Sequence, residues 1–482
     1  MSELHDLTAT EQVAALRRGD LSPREAAQHY LDRIARLDAA VGAFITVTPE
    51  AALARADALE RSQGRAAVLW GLPHADKDLV ARAGVRMTSG SRLRASFVPE
   101  FDDPLVTVLD EAGAVSLGKT NTPEFGLPAY TEGGVAAPAR SPWDLTRGAG
   151  GSSGGAAAAV AAGLLPAAVG SDGGGSIRIP AAACGLVGLK PSRGRVPSLG
   201  GFGALAGLPT AGPIARTVED AGLLLDALVA ATASVGATAG SDLGASGATV
   251  PPTWDGGPYL GAATRGEGRF QIAISTDSPW RTDYEITIAP EARAALDIAI
   301  AELVAIGHGV EALEIPEAPE YSSAFRTIWQ AGAASIPADG AELDLLEPLT
   351  QWLVGVGRSL SARDLAVALW QLARFERETI ARFAPFDAVL MPTLAMLPPT
   401  VGWYDESDGE RNFAQQVQVT PFTSFVNVAG LPAIQLPVHW TADGLPMGVQ
   451  LIGRPGGEHV LLAIGAQLQR RLRWHDRRPP IW

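Results

Sequence analysis

A glycine- and serine-rich segment constrains the fold of this chain more than any other feature of its sequence. Residues 148–155 read Gly-Ala-Gly-Gly-Ser-Ser-Gly-Gly, which is five glycines and two serines in eight positions. Glycine loses more conformational entropy on folding than any other residue, so a cluster of this kind indicates that backbone must approach another group closely. A second cluster, Gly-Gly-Gly-Ser at residues 173–176, can direct successive N–H groups at one point, as stabilisation of an oxyanion requires.

Common nucleotide-binding and hydrolase motifs explain these clusters poorly. A phosphate-binding loop needs a lysine directly after its last glycine, and neither cluster has one. Residues 150–154 match the GxSxG letters of a nucleophile elbow centred on Ser152, but the residues before them are loop-like rather than an apolar strand. We therefore regard the elbow as the weaker hypothesis. Ser116 and Lys119 fit an SxxK motif, which we interpret as coincidence because its companion motifs are missing.

Composition and charge limit the possible partners. The 482 residues, 47% of them hydrophobic, can bury a large core. The net charge is −14, and no dense run of lysine or arginine is present, so we predict no nucleic-acid partner. No apolar stretch is long enough to span a bilayer, and residues 1–20 do not resemble a signal peptide, so we predict a cytoplasmic protein without a membrane partner.

Cysteine and histidine usage argues against metal chemistry. Cys184 is the single cysteine, which rules out an intrachain disulfide and favours a role in core packing. The seven histidines are scattered along the sequence without metal-ligand spacing. We predict no metal and no cofactor, with a small molecule as substrate. The sequence leaves open whether the protein is a monomer or a homodimer.

The hydrophobic pattern divides the chain into five parts. Residues 1–64 predict three helices, two of which begin at the capping boxes Thr8–Glu11 and Ser22–Glu25. Residues 65–230 alternate between β-branched and alanine-rich runs, as in a layered α/β fold. Residues 231–268 predict a surface connection, residues 270–384 a more helical lobe, and residues 385–482 a return to the sheet.

The order of the glycine motifs resembles that of the amidase signature family. The matching segments are GGSSGG at Gly150–Gly155, GGSIRIP at Gly174–Pro180 and CGLVGLKP at Cys184–Pro191, and further matches extend over nearly the whole chain. The resemblance implies one domain, residues 1–482, with a three-layer α/β/α fold. Its central sheet would be mixed, largely parallel and covered by helices on both faces. The implied activity is hydrolysis of amide bonds.

The resemblance also implies roles for individual residues. Ser176 matches the family's nucleophile, Ser152 its bridging serine, which usually follows a cis peptide bond, and Lys77 its buried base. The implied oxyanion hole consists of the backbone N–H groups of Gly173, Gly174, Gly175 and Ser176. Lys77 must be neutral to accept a proton from Ser176 through Ser152, and burial can lower a lysine pKa by about 3–5 units.

Neighbouring residues are expected to support this site. We expect Asp172 and Arg178 to brace the glycine loop, and Ser153 either to orient Ser152 or to cap the following helix, of which we favour capping. Glu124 matches a family position near the floor of the site, and a solvated loop carboxylate is the alternative.

Two residues near Lys77 depart from the family pattern. Asp76 could keep Lys77 protonated, although strand alternation should point its side chain to the other face. His74 also differs from the family, and we interpret it as structural.

The substrate is the least explicit feature of the sequence. We predict an apolar pocket formed by Trp329, Met391, Trp403 and Phe422, with core packing as an equal alternative for each of them. The expected substrates are neutral, apolar or aryl amides, with esters and carbamates as further substrates of the same acyl-enzyme chemistry. One alternative is the glutaminase subunit of a tRNA-dependent amidotransferase, which acts with partner subunits. A non-catalytic binding protein is a more distant one.

Overall fold

Three helices precede and flank the first strand of the chain. The computed structural model describes residues 3–62, 64–196, 202–230 and 257–482. Helices α1 (Ala9–Arg18), α2 (Pro23–Val41) and α3 (Pro49–Arg61) are present as predicted. Both predicted capping boxes are confirmed, since the hydroxyls of Thr8 and Ser22 accept hydrogen bonds from the N–H groups three residues later.

A small sheet carries the first site residue. It consists of β1 (Phe44–Val47), β2 (Pro73–Lys77) and β3 (Val115–Thr120) in the order β1-β3-β2, with α4 (Pro104–Glu111) between β2 and β3 in the chain. Strand β3 is parallel to β2 and antiparallel to β1. All five residues of β2 are buried, and Lys77 is the last of them. The hairpin β4 (Arg140–Ser141) and β5 (Asp144–Gly148) leads directly into the first glycine cluster.

The remaining helices surround a second, larger sheet. They are α5 (Gly154–Ala161), α6 (Arg178–Ala183), α7 (Val218–Ala230), α8 (Tyr259–Arg265), α9 (Pro290–Ile306), α10 (Tyr321–Ala334), α11 (Pro348–Ser359), α12 (Ala362–Phe383), α13 (Gly409–Val419), α14 (Ser424–Val428) and α15 (Glu458–Leu472).

The larger sheet has eight strands among the described residues. They are β6 (Ala167–Asp172), β7 (Val187–Lys190), β8 (Thr210–Ala215), β9 (Gln271–Ile274), β10 (Gly309–Ala312), β11 (Ala388–Pro392), β12 (Ala433–Trp440) and β13 (Pro446–Gly453), in the order β10-β9-β11-β13-β12-β7-β8-β6. Side chains alternate between two cores, because Ile434 and Leu436 pack with α7, α9 and α15 whereas Ala433 packs with the aromatic residues of α10, α13 and α14. The predicted mixed sheet with helices on both faces is therefore confirmed.

The expectation that this sheet is largely parallel was wrong. Of its seven described pairings, only β10–β9 and β9–β11 are parallel, and the other five are antiparallel. Strands β6 and β7 run in the same direction, as the helix between them predicts, but β8 enters between them and pairs antiparallel with both. Strands β12 and β13 are joined by the short turn 441–445, which permits only antiparallel pairing.

The predicted surface connection is only partly within the described residues. Residues 231–256 lie outside them. Residues 259–265 form α8, and its Tyr259 and Ala263 are buried in the same core as α7, so this part is not a surface connection. Within residues 270–384, strands β9 and β10 belong to the large sheet together with β11. No helix of the described residues is long and apolar enough to cross a membrane.

Candidate active site

Lys77 lies in a cage of three serine hydroxyls. Its Nζ donates to the Oγ atoms of Ser152 at 2.7 Å, Ser153 at 3.0 Å and Ser171 at 3.1 Å. Only 1% of the residue is exposed. Burial lowers the pKa of Lys77 to about 7, against the opposing attraction of the Asp172 carboxylate. Near neutral pH this amine is therefore partly unprotonated and can accept a proton.

The first glycine cluster brings Ser152 to Lys77 through close backbone packing. A Cβ at Gly151 would lie 2.6 Å from the backbone nitrogen of Tyr130, and one at Gly155 would lie 2.3 Å from that of Asn121. The predicted close approach is thus to the segment that contains residues 121–130. The Gly151–Ser152 peptide bond is cis, and the Ser152 carbonyl accepts a hydrogen bond from the Thr122 hydroxyl at 3.0 Å.

The second cluster holds Ser176 between β6 and α6. Ser176 is 8% exposed, and its carbonyl accepts a hydrogen bond from the Ser153 N–H at 3.2 Å. Gly175 was expected to contribute to an oxyanion hole, and this part of the prediction was wrong. Its N–H donates to Asp172 Oδ1 at 2.7 Å, because the loop folds back over that carboxylate. The N–H group of Gly175 is therefore already used within the loop.

Asp172 and Arg178 brace the glycine loop through a buried ion pair. Arg178 Nε and Nη2 donate to the two oxygens of Asp172, each at 3.0 Å, and neither side chain is exposed. Burial alone would raise the pKa of Asp172, but attraction by and hydrogen bonds from Arg178 outweigh it and lower this pKa to about 2. The carboxylate is charged at neutral pH, and the expected bracing geometry is present.

Three polar residues from the C-terminal part complete this network, and the sequence analysis did not identify them. Arg178 also donates to Asn427 Oδ1 at 2.7 Å, to Gln450 Oε1 at 3.0 Å and to the Thr423 carbonyl at 3.0 Å. The Thr423 hydroxyl donates to the Gly174 carbonyl at 2.7 Å. Each of them is a polar residue within an apolar run, which is the only sequence signal that could have indicated a buried partner.

The preference for helix capping by Ser153 was wrong. Ser153 precedes α5, but its hydroxyl does not cap the helix. The hydroxyl instead accepts hydrogen bonds from Lys77 Nζ and, at 3.3 Å, from the Ser171 N–H. Lys77 competes successfully for this oxygen because a buried amine needs hydrogen-bond partners.

Asp76 points away from Lys77, as strand alternation predicts. Its carboxylate accepts hydrogen bonds from Arg82 Nε at 2.7 Å and from the Ser116 hydroxyl at 2.9 Å. Burial opposes its ionisation, but the positive charges of His74 and Arg82 keep the pKa of Asp76 well below its usual range. Its negative charge is thus used on the opposite face of β2 and is not directed at Lys77.

Glu124 and Cys184 also have defined surroundings. Glu124 is buried and accepts hydrogen bonds from the Ser91 hydroxyl at 2.5 Å and the Glu347 N–H at 2.7 Å, so the alternative of a solvated loop carboxylate was wrong. Cys184 is fully buried, and burial raises the pKa of its thiol well above the ordinary value. Core packing of Cys184 is therefore confirmed.

Motif letters around β3 do not mark a second site. Residues 113–120 read GAVSLGKT, which matches both the phosphate-loop pattern and the SxxK pattern. Residues 115–120 form strand β3 rather than a loop before a helix. Lys119 is fully buried and donates to the Val80 carbonyl, whereas Ser116 donates to Asp76. The interpretation of SxxK as coincidence agrees with this geometry.

Ser176 lines two cavities of different size and chemistry. The larger, of about 360 Å³, also contacts Ser152 and Ser171, and its wall is mostly aliphatic, with Leu79, Leu208 and Ile328 among its residues. The smaller, of about 60 Å³, has an aromatic wall formed by Trp280, Phe325, Trp329 and Phe413. The nucleophilic oxygen of a serine at this junction could attack a substrate that extends into both.

Only one of the four predicted pocket residues lies at these cavities. Trp329 lines both. Met391, Trp403 and Phe422 are not among the described residues that line either of them. Met391 and Phe422 are fully buried core residues, and Trp403 packs edge-on against Tyr404. For these three residues the core-packing alternative was correct, because β11 and the segment before α14 turn their large side chains into the hydrophobic core.

One group of potential metal ligands occurs among the described residues, at Glu3, His5 and His29. His5 Nδ1 lies 3.2 Å from His29 Nε2, and His5 Nε2 lies 2.9 Å from Arg33 Nη1. An arginine can only donate, so His5 Nε2 is the acceptor and the proton of the neutral ring is on Nδ1, facing His29. We interpret the group as a hydrogen-bonded histidine pair beside a guanidinium, which is unfavourable for a cation.

Known proteins resemble this chain over its whole length. A family model described as Amidase matches residues 25–462. The putative amidase AmiB2 of Mycobacterium tuberculosis is 38% identical over 476 residues, which is 98% of each protein. A glutamyl-tRNA(Gln) amidotransferase subunit of Chromohalobacter salexigens is 35% identical over 505 residues, with 99% of each covered. The solved structure of 6-aminohexanoate cyclic dimer hydrolase with its substrate matches with a TM-score of 0.88 and 30% identity, over 99% of this chain and 100% of that one.

Proposed function

Since the chain belongs to the amidase family and is an amide hydrolase, we propose that it cleaves neutral, apolar or aryl amides with Ser176, Ser152 and Lys77 as its catalytic residues. The observation that carries this proposal is the position of Lys77, buried and 2.7 Å from Ser152 Oγ. A buried lysine is costly unless its function requires it, and a pKa near 7 makes it an effective general base.

In the first half of the proposed reaction, Ser176 is acylated. Neutral Lys77 accepts a proton from Ser152, which accepts one from Ser176, and Ser176 Oγ forms a bond to the amide carbonyl carbon. The resulting oxyanion accepts hydrogen bonds from the N–H groups of Gly173, Gly174 and Ser176. The C–N bond then breaks, and protonated Lys77 returns its proton to the leaving nitrogen through Ser152.

In the second half, water hydrolyses the acyl-enzyme. The same Lys77–Ser152 pair removes a proton from water, hydroxide adds to the ester carbonyl, and the proton returns to Ser176 as the acid leaves. The pair thus serves alternately as base and acid. Esters and carbamates fit the same sequence of steps, because each has a carbonyl that can acylate Ser176.

The chemistry of the two cavities favours an apolar substrate over glutamine. Among the described residues that line them there is no lysine, arginine or histidine. The α-carboxylate of glutamine would be buried there without a cationic partner, which is strongly unfavourable. The aromatic wall of the small cavity suits an aryl group, and the large aliphatic one suits an acyl chain. The amidotransferase glutaminase remains the second candidate function through its 35% identity.

A hydrolysis panel on the isolated chain tests the proposal. We would assay hexanoyl p-nitroanilide, a short aliphatic amide, an aryl ester, an aryl carbamate and glutamine, with Ser176→Ala as the matched control. We expect release of p-nitroaniline by the wild type only, and no glutamine turnover. Glutamine hydrolysis that required added partner subunits, with every other substrate inert, would overturn the proposal.

A further inference from the structure

The large cavity beside Ser176 contains one charged side chain. Of the described residues that line it, Asp103 alone is ionisable. Asp103 is partly buried and is followed in the cavity wall by Leu105. A carboxylate in an otherwise apolar wall costs desolvation free energy, so its presence there requires a reason.

Asp103 lies within reach of a substrate bound at the catalytic lysine. The backbone passes from Lys77 through Leu79 and Val80, both in the cavity wall, to Ala81, whose carbonyl accepts the Asp103 N–H at 2.8 Å. Four residues span at most about 14 Å even when fully extended. One apolar chain of moderate length could therefore contact both ends of the cavity.

Helix capping explains the position of Asp103 but not its charge. Its Oδ1 accepts the Leu105 N–H at 2.9 Å and so caps α4. Asparagine caps helices as well as aspartate does, so α4 alone does not need a carboxylate. An ionised carboxylate has about four lone-pair sites, and the cap uses one of them.

The surroundings leave this carboxylate only partly neutralised. Its nearest cationic influence, Lys119, is shared with Asp76 and Asp78, and Arg82 pairs with Asp76 and Asp110. Burial raises the pKa of Asp103, opposed by the Leu105 N–H bond, while Asp76 raises it and Lys119 lowers it. Since both cations are shared among several carboxylates, a further cation in the cavity would be stabilised.

We infer that Asp103 is a specificity-determining residue that binds an ammonium group at the far end of an apolar chain held in the large cavity. The inference rests on the proposed function and narrows its substrate class to amides whose aliphatic portion ends in a primary amine. A charge-assisted hydrogen bond from the ammonium to the free lone pairs of Asp103 replaces the water lost on binding.

Paired substrates test this inference. We would compare kcat/KM for hexanoyl p-nitroanilide and for the same anilide with a terminal amine on the acyl chain, in wild type, Asp103→Asn and Asp102→Asn. Asparagine preserves the helix cap, and Asp102 is an exposed carboxylate outside the cavity wall, so its variant controls for net charge. We expect the preference for the amino substrate to fall about tenfold in Asp103→Asn alone. An unchanged preference in Asp103→Asn, or an equal change in Asp102→Asn, would overturn the inference.

A binding measurement separates this inference from the proposed reaction. Calorimetric titration of Ser176→Ala protein with hexylamine and with hexanol needs no turnover. Hexylamine should bind about tenfold more tightly than hexanol, and the difference should disappear when Asp103→Asn is added. Equal binding of the two ligands would contradict the role of Asp103. Failure to hydrolyse either anilide would instead contradict the proposed function, while the titration still decides the inference.

Discussion

Lys77 shows how burial alone can adapt a common side chain to a chemical task. Its pKa is lowered to about 7 by burial, and the Asp172 carboxylate limits the shift. Its base form therefore predominates only above that pH. We expect kcat/KM to rise with pH through about 7 and to level off at higher pH. The measurement is a pH profile with a neutral amide, and a rate that is constant or falls over this range would contradict Lys77 as the base.

The three catalytic residues should act as one unit. Ser176→Ala, Ser152→Ala and Lys77→Ala should each lower kcat by roughly a thousandfold or more, and combining them should add little, because each removes the same proton path. Ser171→Ala is the matched control, since it removes one hydrogen bond to Lys77 but no proposed proton carrier. Steady-state kinetics measures the losses, and fluorophosphonate labelling should modify Ser176. Retained activity in Ser176→Ala together with inactive Ser152→Ala would favour the nucleophile elbow instead.

At the scale of elements, the first glycine cluster allows helix α5 to begin against neighbouring backbone. A methyl group at Gly155 would contact backbone atoms of Asn121 and Ala43 at 2.3 and 2.5 Å, and neither can yield as a flexible side chain would. The identity of residue 155 is therefore determined by a contact with a distant segment, rather than by helix propensity.

Two alanine substitutions test this interpretation. Gly155→Ala should lower the free energy of unfolding by about 3 kcal/mol or more through overpacking. Gly355→Ala, on an exposed part of α11 with no atom within 4 Å of the new methyl group, should instead raise it by about 0.5–1 kcal/mol. Urea unfolding would compare the two variants, and equal effects would contradict a contact-based role for Gly155.

At the scale of the whole molecule, Arg178 joins the glycine loop to the C-terminal part of the chain. One guanidinium contacts the end of β6, the residues around α14 and the centre of β13. Because Asp172 is fully buried, loss of Arg178 would leave an uncompensated charge in the core.

The contribution of this ion pair is measurable against a surface pair. Arg178→Met should lower the free energy of unfolding by roughly 3–5 kcal/mol. Arg18→Met removes an exposed pair with Asp20 and should cost less than about 1 kcal/mol. If chemical denaturation gave similar values for the two variants, Arg178 would not have the integrating role described above.

Local patterns in the sequence determined the features that depend on neighbouring residues. The capping boxes at Thr8 and Ser22, helix α9 and the direction of Asp76 followed from spacing, since capping and alternation involve residues only a few positions apart. The order of the glycine motifs was sufficient to identify the family, because close backbone approach leaves a compositional signal.

Tertiary structure alone decided the features that depend on distant residues. The insertion of β8 between β6 and β7, the use of the Gly175 N–H by Asp172 and the core positions of Met391 and Phe422 follow from which surfaces meet. The same holds for Asp103, whose role as a helix cap is visible in the sequence but whose place in the cavity wall is not. Hydrophobic burial is non-directional, so a sequence indicates that a side chain is buried and only the packed molecule determines against what.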